Sequence, residues 1–205
     1  MKKESIGYVV VFTFVVCIVF VLGLSIVNYI TIDQVEANRS YAAHVAVLKA
    51  LGLADATTPR DQVESLYSSS IREIPGDTPA FTATIDSLPA VAVRYTGPGL
   101  WGSITAIVAA DAMGERIRGL EILDQQETPG LGGRIDEAWF KEQFRGEKVG
   151  ADGTILVDRN GSGTGDADKE NGRVDAVSGA SRTSDFIQAI VNGALAAIKK
   201  TGGSL

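Results

Sequence analysis

Between Ile6 and Ile32 the chain carries no charged residue, and the stretch from Ile6 to Val27 is almost wholly apolar. About 20 helical residues rising ~1.5 Å each cover the ~30 Å hydrocarbon core of a bilayer, so this segment is long enough to span one. A cleaved signal peptide has a shorter apolar region closed by a small-x-small site; here the apolar run continues past that length, which predicts a retained membrane helix. Lys2 and Lys3 flank its near side, while Asp33 and Glu36 open its far side. The positive-inside rule then puts the N-terminus in the cytoplasm and the rest of the chain outside, as in a single-pass protein of a bacterial inner membrane. Cys17 follows Val15 and Val16 instead of the small residue that precedes a lipoprotein cysteine, and it reads as buried apolar filler. Gly7, Gly23 and Ser25 are candidate points of close approach to other membrane helices.

The shortages of the chain exclude much of chemistry. One cysteine and one histidine allow no disulfide framework, no cysteine zinc site, no iron–sulfur cluster and no bis-histidine haem built by this chain alone. Redox or group-transfer chemistry must therefore come from a bound cofactor or a partner. The formal charge is −6, and the part beyond the helix, which leaves Lys2, Lys3 and Glu4 behind, is more acidic still. With no Lys/Arg cluster, such a surface argues against nucleic acid as a ligand.

Residues 1–31 are thus expected to form the cytoplasmic N-terminus and membrane helix, 32–54 a helical stalk capped by Gly52, and 55–205 an extracytoplasmic domain. His44 lies in the stalk and reads as a surface or interface histidine. Thr57–Arg60 and Pro75–Pro79 are turn signals bracketing irregular connections. Strands are expected at Ala80–Ile85, Ala90–Tyr95, Gly102–Ala110 and Arg116–Leu123, the last two joined as a hairpin through Asp111–Gly114. A short helix capped by Asp136 is expected to run to Phe144, with Trp139, Phe140 and Phe144 on one face. Thr154–Val157 reads as a short strand. From Ser184 to Lys200 apolar residues recur at helical spacing, with Lys199 and Lys200 at the negative end. An α+β domain, an antiparallel sheet backed by helices, fits this order.

Three glycine-rich clusters remain. Asp175–Asp185 ends where the last helix is expected to begin, so its small residues and unpaired N–H groups could receive a phosphate; on spacing alone, an ordinary Ser/Thr/Asp helix cap is the better reading. A serine nucleophile has no general base nearby, because the only histidine is in the stalk. In Gly97-Pro-Gly-Leu-Trp-Gly102 and Glu127-Thr-Pro-Gly-Leu-Gly-Gly133, Leu100, Trp101 and Leu131 give apolar tips able to lie against a planar ring. Each cluster judged alone reads as a loop. A fourth stretch, Asp158–Gly172, has the spaced oxygen donors of a calcium loop, but Lys169 stands where the bidentate Glu is needed, so a solvated, mobile hairpin loop is favoured.

Taken together, Leu-Lys-Ala-Leu-Gly-Leu53, Gly-Leu-Trp-Gly102, Glu-Thr-Pro-Gly-Leu-Gly132 and Asp-x-x-Ser-Gly-Ala-Ser181, behind one N-terminal membrane helix, resemble a known family. It is that of the FMN-binding C subunit of the sodium-translocating NADH:quinone reductase, with the G subunit of the Rnf electron-transport complex as a close relation and the alternative reading. The resemblance implies an electron carrier with FMN esterified through its phosphate to Ser181 by a flavin transferase, Thr being the commoner residue there. It implies Thr183 as the nearby alternative hydroxyl and Asp175 as a recognition element for the transferase. Ser178, Gly179 and Ala180 would form the turn that admits the phosphate, and Glu127, Thr128, Gly130 and Leu131 would lie near the flavin or at its rim. It further implies other membrane subunits as partners, and membership of an ion-translocating enzyme in which the isolated chain does not itself turn over. The family often has His just before Glu-Thr-Pro; here the segment is Asp124-Gln-Gln126, so no imidazole role carries over. From a different class, the competing reading is an anchored, non-redox module that holds a small anion without a covalent bond. A third is a stand-alone extracellular reductase.

Overall fold

The computed structural model describes residues 5–203; Lys2 and Lys3, on which the orientation reading rests, lie outside the described residues. The chain divides into two compact units, Met1–Tyr41 and Ala42–Leu205. The first holds most of helix α1, Ile6–Leu51. This is a helix long and apolar enough to cross a membrane, with a mean hydropathy of 3.1 over its most apolar 18-residue window and none of that window buried within the protein. Cys17 is exposed on α1, not buried within its own unit as apolar filler.

The second unit begins inside the expected stalk, not after it. Ala46, Val47, Leu48, Ala50 and Leu51, at the end of α1, are buried. The helix stops as the sequence indicates: the Leu53 N–H bonds to the Leu48 carbonyl at 2.8 Å and the Gly52 N–H to that of Lys49 at 3.1 Å, a Schellman closure. His44 stacks on Tyr67 with ring centroids 3.8 Å apart, and its Nδ1 lies 3.1 Å from Glu64 Oε2.

The turn signals at 57–60 and 75–79 bracket structure, not irregular chain. Helix α2 spans Arg60–Ser70 and strand β1 Arg72–Ile74. α2 is short and rich in serine, and β1 exposes two of its three residues, so neither shows a strong apolar period. Four longer strands follow: β2 (Ala80–Ile85), β3 (Leu88–Pro98), β4 (Ser103–Asp111) and β5 (Ile117–Asp124). All five form one antiparallel meander in chain order. The β4–β5 turn forms at Asp111–Gly114, with the Asp111 carboxylate accepting the N–H groups of Glu115 and Arg116 at 2.9 and 2.8 Å.

The α+β architecture is as the sequence indicates. Along β3 and β4, alternate residues Val91, Val93, Ile104, Ala106 and Val108 face the core shared with helix α4 (Ser181–Gly202), whose Ile187, Ile190, Val191, Ala194, Leu195 and Ile198 are buried there. Residues of opposite parity, Ala90, Ala92, Ile107 and Ala109, are buried on the other face. There Gly119 of β5 meets the end of α1 so closely that a Cβ would sit 2.6 Å from the Ala50 carbonyl oxygen.

Helix α3 covers Ala138–Phe144. It follows a 3₁₀ turn at Gly132–Asp136, and its N-cap is Glu137 without a side-chain cap bond. The expected cap, Asp136, instead pairs with Lys141 Nζ at 3.1 Å. Strands β6 (Leu156–Asp158) and β7 (Arg173–Asp175) pair in parallel, so the intervening loop is a crossover and not a hairpin. Buried Gln143 holds it by accepting the N–H groups of Asp166 and Asp175, and Lys169 Nζ donates to the Gln143 carbonyl at 2.6 Å.

Two of these contacts are open to direct measurement. Gly119→Ala must push backbone from backbone, and thermal unfolding of the 205-residue chain in detergent should register a loss of about 1–3 kcal/mol, typical of overpacking. Glu147 is fully buried; one carboxylate oxygen accepts the Gly172 N–H at 2.8 Å, and the other has no hydrogen-bond partner among the described residues. Burial raises its carboxyl above the ordinary 4.5, so the folded state holds its proton longer than the unfolded chain does. Stability tied to that proton is complete below the unfolded value and declines as pH rises towards the raised folded value. Glu147→Gln, which cannot ionise, should therefore gain stability relative to the natural chain as pH is raised from about 4 to 7; a pH-independent difference between the two melting curves would contradict this.

Candidate functional site

Two of the three glycine clusters close as tight turns. In Thr128-Pro-Gly-Leu131 the Leu131 N–H bonds back to the Thr128 carbonyl at 3.1 Å with Gly130 at φ +75°. In Val177-Ser-Gly-Ala180 the Ala180 N–H bonds to the Val177 carbonyl at 3.0 Å with Gly179 at φ +79°. A glycine of positive φ in the third position is the signature that Pro-Gly and Ser-Gly supply without steric cost. The remaining cluster is the β3–β4 connection, closed by the Gly99 N–H on the Gly102 carbonyl at 2.7 Å.

One side chain joins all three. Glu127 is only 5% exposed. Its Oε1 accepts the backbone N–H groups of Leu100 at 2.7 Å and Trp101 at 3.3 Å, and its Oε2 accepts the Thr183 hydroxyl at 2.5 Å. Trp101 adds a second tie, its indole N–H donating to Thr128 Oγ1 at 3.1 Å. Gly99 and Gly132 make room for the carboxylate, since a Cβ on either would lie 2.7 Å from one of its oxygens.

The three turns enclose a cleft of about 260 Å³. Of the residues singled out in the sequence, Leu100, Glu127, Thr128, Leu131, Gly179, Ala180, Ser181 and Thr183 line it. Trp101, Gly130, Ser178 and Asp175 do not. Trp101 is 69% exposed beside the cleft. Asp175 is 6% exposed, and its carboxylate is engaged inward with the Ser162 hydroxyl and the N–H groups of Gly163 and Gly165. It organises the crossover loop.

Gly132 and Arg182 line the cleft as well, and sequence reasoning does not single them out. Arg182 is the one residue between the two hydroxyls, and a cation inside a phosphate-type motif is the signal that could have found it. The two hydroxyls themselves differ. Ser181 is exposed, whereas Thr183 is 2% exposed with its hydroxyl committed to Glu127.

Helix α4 starts at Ser181, three residues earlier than its apolar period indicates, and its N-cap is Ala180 with no side-chain cap bond. The ordinary Ser/Thr/Asp cap expected from spacing is absent. Ser184, a natural cap by type, instead sits within the helix and donates to the Ala180 carbonyl at 3.0 Å. The first-turn N–H groups are therefore left for an anion, where the helix dipole favours one. Exposed Leu100 and Leu131 give apolar surface beside them. A phosphate carried on a flat apolar ring fits this donor set: anion at the helix start, ring against leucine, and no side chain at Gly179 to block the approach. A larger cleft of about 520 Å³, lined by Arg116, Arg118 and Arg145 among others, gathers none of the three motifs.

Residues 99–196 match the FMN-binding domain family. The C subunit of the Na(+)-translocating NADH-quinone reductase of Neisseria meningitidis is 42% identical over 92 residues, covering 45% of this chain and 35% of that protein. The protein of the same name from Vibrio alginolyticus is 34% identical over 170 residues, covering 78% of this chain and 57% of the relative. The chain thus spans between a third and somewhat over half of the length of these curated relatives. The crystal structure of the corresponding Parabacteroides distasonis protein superposes with a TM-score of 0.67 at 22% identity, covering 84% of this chain and 98% of that one, a likeness of fold. The cleft lies wholly within residues 99–196, the segment that is similar to the FMN-binding domain family.

Proposed function

We propose that the chain is the FMN-carrying subunit of a membrane ion-translocating NADH:quinone reductase, and that it holds FMN as a phosphoester on Ser181. The observation that carries this reading is the contrast between the two hydroxyls of Ser-Arg-Thr183: Ser181 is exposed at the uncapped start of α4, while Thr183 is buried and bonded to Glu127. Bound FMN supplies the reversible electron chemistry that a chain with one cysteine and one histidine lacks.

The protein's own residues hold the group. The α4 N–H groups and the Arg182 guanidinium offset the phosphate charge. Leu100 and Leu131 offer the ring an apolar surface, and the Thr128–Leu131 turn keeps Leu131 at the cleft. A covalent tether suits an exported domain, because the cofactor cannot diffuse away and the shallow cleft need not enclose it. Helix α1 anchors the chain among the other membrane subunits of the complex, with the N-terminus in the cytoplasm and the flavin domain outside. Maturation requires a flavin transferase acting at Ser181. Electrons pass through the chain between redox partners, and the isolated chain does not turn over.

The test is the intact mass of the denatured chain after co-expression with a flavin transferase. The natural chain should gain the mass of one FMN less one water, and Ser181→Ala should gain nothing even though Thr183 is still present. Addition that persists in Ser181→Ala and disappears in Thr183→Val would move the attachment to Thr183. No addition to either chain, with the transferase active on another acceptor, would leave a cleft that binds an anion without a covalent bond.

A further inference from the structure

We propose that Glu127 is a positioning residue of the flavin site and the fixed negative charge beneath it. The proposal rests on the FMN reading above and adds what that reading leaves open, namely how three loops distant in sequence are held in register and what electrostatic field the cofactor meets.

The geometry is specific. Glu127 accepts three hydrogen bonds, two from the backbone at the tip of the β3–β4 turn and one from the Thr183 hydroxyl in the first turn of α4. None of its three donors carries a charge, and the salt bridges among the described residues include no cation on Glu127. Neutral donors stabilise the ion without neutralising it, in a poorly hydrated place where Coulomb interactions act at a lower effective dielectric than in water; Arg182 lines the same cleft but makes no salt bridge to Glu127 among the described residues. The same carboxylate lines the cleft with Ser181. Reducing a flavin adds negative charge to it, so a fixed anion alongside disfavours the reduced form and lowers its potential.

A purely structural acid and a field-setting acid predict different behaviour in two conservative variants. Glu127→Gln keeps the shape, loses the charge, and can no longer accept on both sides. Glu127→Asp keeps the charge but is one methylene too short to bridge both partners. Both variants should melt at lower temperature than the natural chain, because each breaks the bridge. Only Glu127→Gln should shift the midpoint potential of the attached FMN, in the positive direction, with Glu127→Asp staying close to the natural value.

The measurement is a redox titration of the flavin absorbance of the 205-residue chain in detergent, with intact mass reporting FMN occupancy. Equal potentials in Glu127→Gln and the natural chain, both folded and loaded, would overturn the proposal. So would equal positive shifts in Gln and Asp, which would make the effect one of shape. If Glu127→Gln does not fold, Thr183→Val tests the same division of roles, since it breaks the bridge with little change of shape and leaves the carboxylate in place. A lower melting temperature with a potential close to the natural value is then expected, and a positive shift of the potential, which a shape effect would give, would overturn the proposal. Failure of the FMN reading itself is seen separately, as a natural chain that gains no FMN mass.

Discussion

A buried carboxylate can remain in a protein interior only if donors replace the water it has lost, and at Glu127 those donors come from two segments that are otherwise far apart in sequence. The requirement works in both directions. Glu127 needs Leu100, Trp101 and Thr183 to be satisfied, and the β3–β4 tip and the start of α4 are brought together because they satisfy it. The cleft is the space left above this junction. Its glycines follow from the same constraint, since side chains at Gly99 or Gly132 would collide with the carboxylate.

The chain uses this device more than once. Asp175 collects the Ser162 hydroxyl and the N–H groups of Gly163 and Gly165, and so closes the crossover between the parallel strands β6 and β7. Asp111 closes the β4–β5 turn on two N–H groups. In an acidic chain with few aromatic residues, irregular loops are fixed less by apolar burial than by carboxylates that gather backbone donors. Glu147 is the incomplete case, with one oxygen served by Gly172 and the other left without a hydrogen-bond partner among the described residues, and it is there that burial raises the carboxyl above its ordinary range.

Much of the framework is legible along the chain because it follows simple periodicities. The apolar run from Ile6 forms a helix that could cross a membrane, and the Ile187–Ile198 period forms the buried face of α4. The four longer strands lie close to where their β-branched residues indicate. Elements without a period are not legible. Helix α2 buries only Val63 and Tyr67, and β1 is a three-residue edge strand, so no local pattern announces either. The β6–β7 connection reads as a hairpin in sequence because a loop of Gly, Asp and Asn looks the same whether its flanking strands run parallel or antiparallel.

For the site, the sequence by itself determined the parts: three glycine turns, two hydroxyls two residues apart, an acid before Thr-Pro-Gly, and too few cysteines and histidines for metal-based redox chemistry. Local chemistry sufficed for these, because Pro-Gly and Ser-Gly specify turns within four residues. Only the tertiary structure decided which hydroxyl is presented and which is consumed. Ser181 and Thr183 lie within one helical turn and differ little in local propensity; what separates them is that α4 lies across the sheet so that Thr183 meets Glu127, a residue 56 positions away along the chain. The helix start likewise looks capped in sequence and is uncapped in space, since Ser184 lies inside α4 and Ala180 takes the cap position. A hydrogen bond between distant segments depends on how the elements pack, and no window along the chain contains both of its ends.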